Sequence, residues 1–115
     1  MSRPVIVPID LGGSPTACWR RPPLRTPPTP DLVAAMVEHY RTERSGERPL
    51  EVAFFHGGTP SDALLAAAGT LPKRVACSPA DLTRAEAARL IAGGVTTIEL
   101  AVGSLNPRVL NTNRI

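Results

Sequence analysis

Glu51-Val52-Ala53-Phe54-Phe55-His56-Gly57-Gly58-Thr59-Pro60 is an apolar run that breaks into a polar, glycine-rich loop. Gly94-Val95-Thr96-Thr97-Ile98-Glu99-Leu100-Ala101-Val102-Gly103-Ser104-Leu105-Asn106 has the same form. Each stretch predicts a buried strand with a flexible loop at its carboxyl end. In open α/β sheets and in βα barrels that end is where ligands bind.

Working outward, Pro4-Val5-Ile6-Val7-Pro8-Ile9 is short and rich in β-branched residues, and predicts a first strand. Asp10 to Pro30 is irregular. Its prolines Pro22, Pro23, Pro27, Pro28 and Pro30 exclude helix and strand and favour an extended polyproline form. Apolar segments flank it on both sides, which makes it a loop inside one domain sooner than a linker or a partner ligand.

Thr29-Pro30-Asp31 is a helix start: a hydroxyl cap, a proline in the first turn, then an acid at the positive end of the dipole. Leu32, Val33, Met36, Val37 and Tyr40 follow at helical spacing as one buried face, and Gly46 and Pro49 close the helix. Glu51 to His56 is apolar on both faces, as a sheet covered by helices requires. Ser61 to Ala68 is a short helix ended by Gly69, and Lys73 to Cys77 is a candidate third strand. Thr83-Arg84-Ala85-Glu86 is a capping box. It opens a helix with Ala87, Leu90 and Ile91 inward, and Gly93-Gly94 ends that helix. Thr96 to Val102 is the clearest strand, and Asn106-Pro107 begins a last helix through Asn111.

The order β, α, β, α, β, α, β, α implies parallel strands joined by right-handed crossovers. The expected fold is α/β: a partial (βα) barrel of about four parallel βα units, one domain over residues 1–115. Its last strand lacks a neighbour. A length of 115 residues allows one domain at most, and 43% hydrophobic residues suffice for a core. Aromatics make up only 3%, so Ala, Val, Leu and Ile must fill that core. The 13 prolines and 9 glycines cluster at segment joints without a period, which excludes a collagen-like or low-complexity chain.

The net charge of +3 comes almost wholly from scattered arginines, Lys73 being the one lysine; no nucleic-acid stripe stands out. Cys18 and Cys77 lie far apart, so neither a disulfide framework nor a zinc site is indicated. No apolar run approaches ~20 residues and no signal-peptide core opens the chain, so the expected setting is the reducing cytoplasm, without a membrane.

The chain resembles the radical SAM superfamily, in particular the proteins related to elongator-type tRNA-modifying acetyltransferases and the coproporphyrinogen-oxidase-like core. In that family a strand ending in proline leads into a Cys-x-x-x-Cys-x-x-Cys loop. Here Pro4 to Pro8 is followed by Ser14, Cys18 and Arg21 at the three positions, so only the middle cysteine is kept. Glu51 to Phe55, with the Pro-rich segment and helix before it, resembles the family's second strand, which runs into a Phe-Phe-Gly-Gly-Ser/Thr turn. Val95 to Leu100 resembles the fourth strand, where Ala101-Val102-Gly103-Ser104 replaces Gly-Val-Gln-Ser. The family's Arg-Pro-Asp after the third strand is Ser78-Pro79-Ala80 here, and the Gly-His that usually follows the fourth-strand helix is absent.

The resemblance implies candidate S-adenosylmethionine contacts at Gly57, Gly58, Thr59, Glu99 and Ser104, and a single cluster ligand, Cys18. Glu99 alternates onto the barrel-facing side with Thr97, while Ile98 and Leu100 face the helices. It is either a retained ligand contact or a carboxylate satisfied by arginine or backbone N–H. His56 is a candidate general base or a strand-end histidine satisfied by backbone; His39 is solvated; Trp19 either stacks on a ligand or anchors its loop.

A [4Fe–4S] cluster of this family needs three thiolates. Serine is a poor substitute, and the arginine guanidinium has no lone pair to donate. The expectation is a degenerate, non-catalytic domain with no cofactor; S-adenosylmethionine and [4Fe–4S] are the groups it would hold if it held any. The alternative is a scaffold or binding module whose barrel is completed by a second copy or a partner chain, with a residual RNA contact through Arg20, Arg21 and Arg25.

Overall fold

The structure, a computed structural model, describes residues 3–12, 28–44 and 46–100. Within them strands and helices alternate: β1 (Val5–Asp10), α1 (Pro30–Glu43), β2 (Leu50–Phe55), α2 (Asp62–Ala67), β3 (Lys73–Cys77), α3 (Arg84–Ala92) and β4 (Val95–Leu100). A 3-10 turn at Pro79–Asp81 separates β3 from α3. All three strand pairs are parallel, and the order across the sheet, β1-β2-β3-β4, repeats the order along the chain. The α/β class with parallel strands is as expected. Residues 101–115, which include the expected last helix, lie outside the described residues.

Short polar side chains set the helix starts. Thr29, Ser61 and Thr83 accept hydrogen bonds from the N–H groups of Leu32, Leu64 and Glu86, at 3.1, 3.3 and 3.1 Å. Each satisfies one of the donors that a helix leaves open at its amino end. The capping box at Thr83 is one-sided. Glu86 turns its carboxylate to Thr59 and Arg89 instead, because those partners offer charge-assisted bonds.

Strand alternation divides the sheet into two unlike faces. Val7, Val52, Phe54 and Val75 are fully buried and share one core with Val33 and Val37 of α1, Leu64 and Leu65 of α2, and Leu90 of α3. The residues between them, such as Ala53, Phe55, Arg74 and Ala76, are half-buried, and Ile6 and Pro8 are exposed. The strands are therefore not apolar and buried on both faces among the described residues: the helices cover one.

Two inward assignments are corrected. Leu32 is 49% exposed and Ile91 65%. The core stripes centre on Val33–Val37 and on Leu90. A neighbour along a helix is turned by about 100°, which carries Leu32 and Ile91 off the stripe.

Pro8 sits in an edge strand, and its position shows why it is tolerated. The N–H groups of Val5 and Leu11 donate to the carbonyls of Pro49 and Phe55, both at 2.8 Å. Odd-numbered residues thus point their N–H toward β2, and the N–H that Pro8 lacks would have faced outward. Lys73 is the buried charge of the covered face, 2% exposed. Its ammonium donates to the carbonyls of Gly69 (2.6 Å) and Leu71 (2.9 Å), in the loop that leaves α2. Burial lowers its pKa from the ordinary lysine value.

Candidate functional site

The parallel strands all deliver their carboxyl ends to one side, and three loops meet there. After β1, Asp10 accepts a hydrogen bond from the N–H of Gly12 (2.8 Å), a turn that needs the left-handed conformation of Gly12 at φ +83°. After β2, His56 and Gly58 both take positive φ, +59° and +75°. His56 is the sole non-glycine residue in that region among those described. Such a conformation is uncommon for a residue with a side chain and is held by its surroundings. After β3, Ser78 precedes the 3-10 turn, and its hydroxyl donates to Asp81 Oδ2 at 3.0 Å.

Between the second and third loops lies a cavity of about 240 Å³. Phe55, Ala76 and Cys77 form its apolar wall; His56, Gly57, Gly58, Ser78 and Asp81 close it. A Cβ at Gly58 would stand 3.7 Å from the Asp81 carboxylate, an ordinary contact, so the backbone φ is what calls for glycine there. A second, more open hollow of about 360 Å³ lies on the other side of Gly57, against Leu11, Thr59 and Leu64.

His56 Nδ1 is buried without a hydrogen-bond partner. The nearest carboxylate oxygen, Asp10 Oδ2, is 3.6 Å away, too long for a hydrogen bond. The Cys77 thiol is pushed above its usual pKa, first by burial and then by the negative charges of Asp81 and Glu86.

The loop after β2 is fastened to α3 by a polar clamp. The Thr59 hydroxyl donates to Glu86 Oε2 at 2.5 Å, and Arg89 bonds both Glu86 oxygens, Asp62 Oδ1 and the Pro60 carbonyl. Hydrogen bonds from Arg89 and then Thr59 hold the Glu86 carboxyl down at about 2, and Glu86 in turn raises Arg89.

Of the residues singled out by sequence, Gly57 and Gly58 line the cavity and Thr59 lies next to it with its hydroxyl committed to the clamp. Glu99 is on the sheet face away from the helices, exposed and paired with Arg74, which also bonds Glu51 at 2.8 Å. The arginine-satisfied alternative for Glu99 is the arrangement present. Those two carboxylates, Glu51 first, raise the Arg74 pKa. Cys18, Ser104, Ser14, Trp19, Arg20, Arg21 and Arg25 lie outside the described residues.

Sequence reasoning missed Ser78, Asp81, Asp10 and the Glu51–Arg74–Glu99 triad. Ser78-Pro79-Ala80-Asp81 carries the cap, proline and acid of a helical turn, and Asp10-Leu11-Gly12 the pattern of an Asx turn, so both signals were available. For the triad the sequence offered only an arginine partner for Glu99; that the arginine is Arg74 and that Glu51 shares it left no signal, because three strands far apart in sequence are joined.

The donor set does not fit a [4Fe–4S] cluster held by three thiolates. The whole chain has two cysteines. Cys77 is buried at the end of β3, where burial raises its thiol pKa. The chain thus offers at most two thiols to a cluster that takes three. Among the described residues, no group of three or more His, Cys, Asp or Glu side chains is placed to hold a metal ion. No described helix is long and apolar enough to cross a membrane. Comparison with family models, with curated proteins and with solved structures finds no match to this chain.

Proposed function

We propose that the chain is a radical SAM-like half barrel without iron–sulfur chemistry, acting as a module that binds a small molecule at the carboxyl ends of β2 and β3. The observation that carries the binding role is the cavity between the His56–Gly58 loop and the Ser78–Asp81 turn. It lies at the end of a parallel sheet where such folds place their ligands, beside a strained residue and a buried, unpartnered ring nitrogen. The barrel kinship is supported by the strand order. Doubly wound sheets reverse direction across a switch point, as in 3-2-1-4, whereas β1-β2-β3-β4 keeps one sense of winding. One face covered by helices and one without a described helix also suit a barrel wall. The absence of redox catalysis is supported by the cysteine count and by serine and arginine at the flanking ligand positions.

Any contact with S-adenosylmethionine would then run through Gly57 and Gly58 and through Ser104. In this reading the module works in the cytoplasm.

The test has two arms. Anaerobic supply of iron and sulfide leaves the protein colourless and without stoichiometric iron; a bound cluster with a visible charge-transfer band overturns the non-catalytic half. A fragment screen followed by amide NMR gives shifts concentrated at residues 56–58 and 76–81. Shifts that avoid that set overturn the binding half.

A second reading is favoured by the sheet face that no described helix covers. Parallel sheets are almost always covered on both sides, so a second copy or a partner chain completing the barrel would cover Ala53, Phe55 and Ala76. Light scattering tests self-association: a dimer at micromolar concentration supports the second copy, and a monomer at millimolar concentration removes it.

A further inference from the structure

His56 lines the β2–β3 cavity in a conformation that glycine would take without strain, φ +59°. The strained backbone keeps an imidazole in one place. Its ring stands edge-on to Phe55, centroids 4.6 Å apart and planes at 78°. Its Nδ1 is buried without a hydrogen-bond partner and faces Asp10 Oδ2 at 3.6 Å. Asp10 is itself held, because its Oδ1 accepts the N–H of Gly12 at 2.8 Å.

In a neutral imidazole one nitrogen carries the hydrogen and the other accepts. A carboxylate opposite Nδ1 favours the hydrogen there, which leaves Nε2 as the accepting atom. The side chain is 38% exposed although Nδ1 is sealed, and no described residue bonds Nε2. The ring therefore brings an open acceptor to the cavity lining.

Charge and size narrow what that acceptor can meet. No described lysine or arginine lines the cavity, so an anion finds no counter-charge. Asp10 is engaged by Gly12 and Asp81 by Ser78, so an ammonium would have to displace existing bonds. A neutral ligand meets neither cost. About 240 Å³ lies below the roughly 300–1,000 Å³ of pockets that enclose drug-sized ligands, which suits a single ring. Phe55, Ala76 and Cys77 present apolar surface to such a ring.

We infer that the cavity takes a neutral one-ring hydroxyl compound of the phenol class, its O–H donating to His56 Nε2. Asp10 is the positioning residue that keeps Nε2 free of hydrogen. The inference rests on the binding role proposed above and names the ligand class for it.

Phenol and toluene share a shape and differ in one O–H, and amide NMR titration gives the ratio of their affinities. His56→Gly removes the ring while relieving the backbone, so the variant folds. Its preference for phenol over toluene falls about fivefold, the scale of one neutral hydrogen bond. Taking the ratio cancels the extra room that the lost ring leaves. Asp10→Asn keeps an oxygen for Gly12 and offers Nδ1 a donor. Long-range proton–nitrogen spectra then show the hydrogen moved from Nδ1 to Nε2, and the preference for phenol falls by a similar factor. A ratio that His56→Gly leaves unchanged, or a hydrogen on Nε2 in the unaltered chain, overturns the inference. A hydrogen that stays on Nδ1 in Asp10→Asn removes the positioning role of Asp10. If other fragments shift the amides of residues 56–58 and 76–81 while phenol does not, the ligand class is wrong and the binding role stands. If no fragment shifts them, the binding role has failed and the inference with it.

Discussion

Under the three helices, Val7, Val52, Phe54, Val75 and Leu90 are sealed from solvent within one apolar cluster. At the carboxyl end of the same sheet, Thr59, Asp62, Glu86 and Arg89 fasten a loop to α3 through charge-assisted bonds that stand partly in water. The first region is held by removal of apolar area, the second by paired charges. Burial of apolar area does not titrate and is not screened by salt, and each large side chain is worth kilocalories. Exposed ion pairs are worth about 0–1 kcal/mol and fade in salt. Stability should therefore live between helices and sheet, while the carboxyl end keeps its shape without adding much to the total. That division suits a binding rim, whose loops need position more than depth.

Phe54 and Phe55 sharpen the contrast most, because they are adjacent and point to opposite faces. Phe54→Ala, in the covered core, should destabilise by about 3–5 kcal/mol. Phe55→Ala, on the half-open face, should lose about 1 kcal/mol. Urea unfolding at constant slope reads both midpoints. Equal losses would break the comparison, since they would mean that the second face is buried as deeply as the first.

Lys73 is the place where the covered face departs from its own rule. Lys73→Met keeps the apolar stem and removes the ammonium that holds the Gly69 and Leu71 carbonyls. The expected loss is about 1–2 kcal/mol by the same urea measurement, from the two bonds to a charged donor and against the relief of desolvating it. A gain in stability would show that the buried charge costs more than its partners return, and that the covered face prefers to be wholly apolar.

How far these regions were legible beforehand follows the same division. Burial writes itself into sequence as periodicity, so the Val33–Val37 stripe could be placed from spacing, whereas the unbroken apolar run Val52 to Phe55 showed a strand without showing which face is covered. The helix starts at Thr29, Ser61 and Thr83 were equally plain, because a cap is a local interaction within three residues. Polar networks leave no such trace. Arg74 meets Glu51 and Glu99 across two strand boundaries, and Arg89 meets Asp62 across the whole of β3. Even the legible capping box at Thr83 was half misread, since a stronger partner from another loop claimed Glu86. Of the candidate site, the glycine loop after β2 was visible, while the Ser78–Asp81 wall that faces it was noticed only as a departure from a family pattern.

The smallest expected effect belongs to the clamp, and it is a dependence on pH. Glu86 has its carboxyl at about 2, against an ordinary value of 4.5, because Arg89 and Thr59 hydrogen-bond its charged form. A pKa depressed by folding means that the unfolded chain takes up this proton first as the solution is acidified. The contribution of Glu86 is therefore complete above pH 4.5 and drains away as pH falls from there toward 2. Glu86→Gln removes that proton uptake, so its unfolding midpoint should decline less steeply than that of the unaltered chain across this window, the two curves differing most above it. The group is about a third exposed, so the separation should be smaller than the Lys73 effect and should shrink further in high salt. Parallel curves with no separation at any pH would mean that Arg89 positions the loop through Pro60 and Asp62 alone. A separation larger than that of Lys73→Met would place real stability at the carboxyl end, and the contrast with the covered face would have to be redrawn.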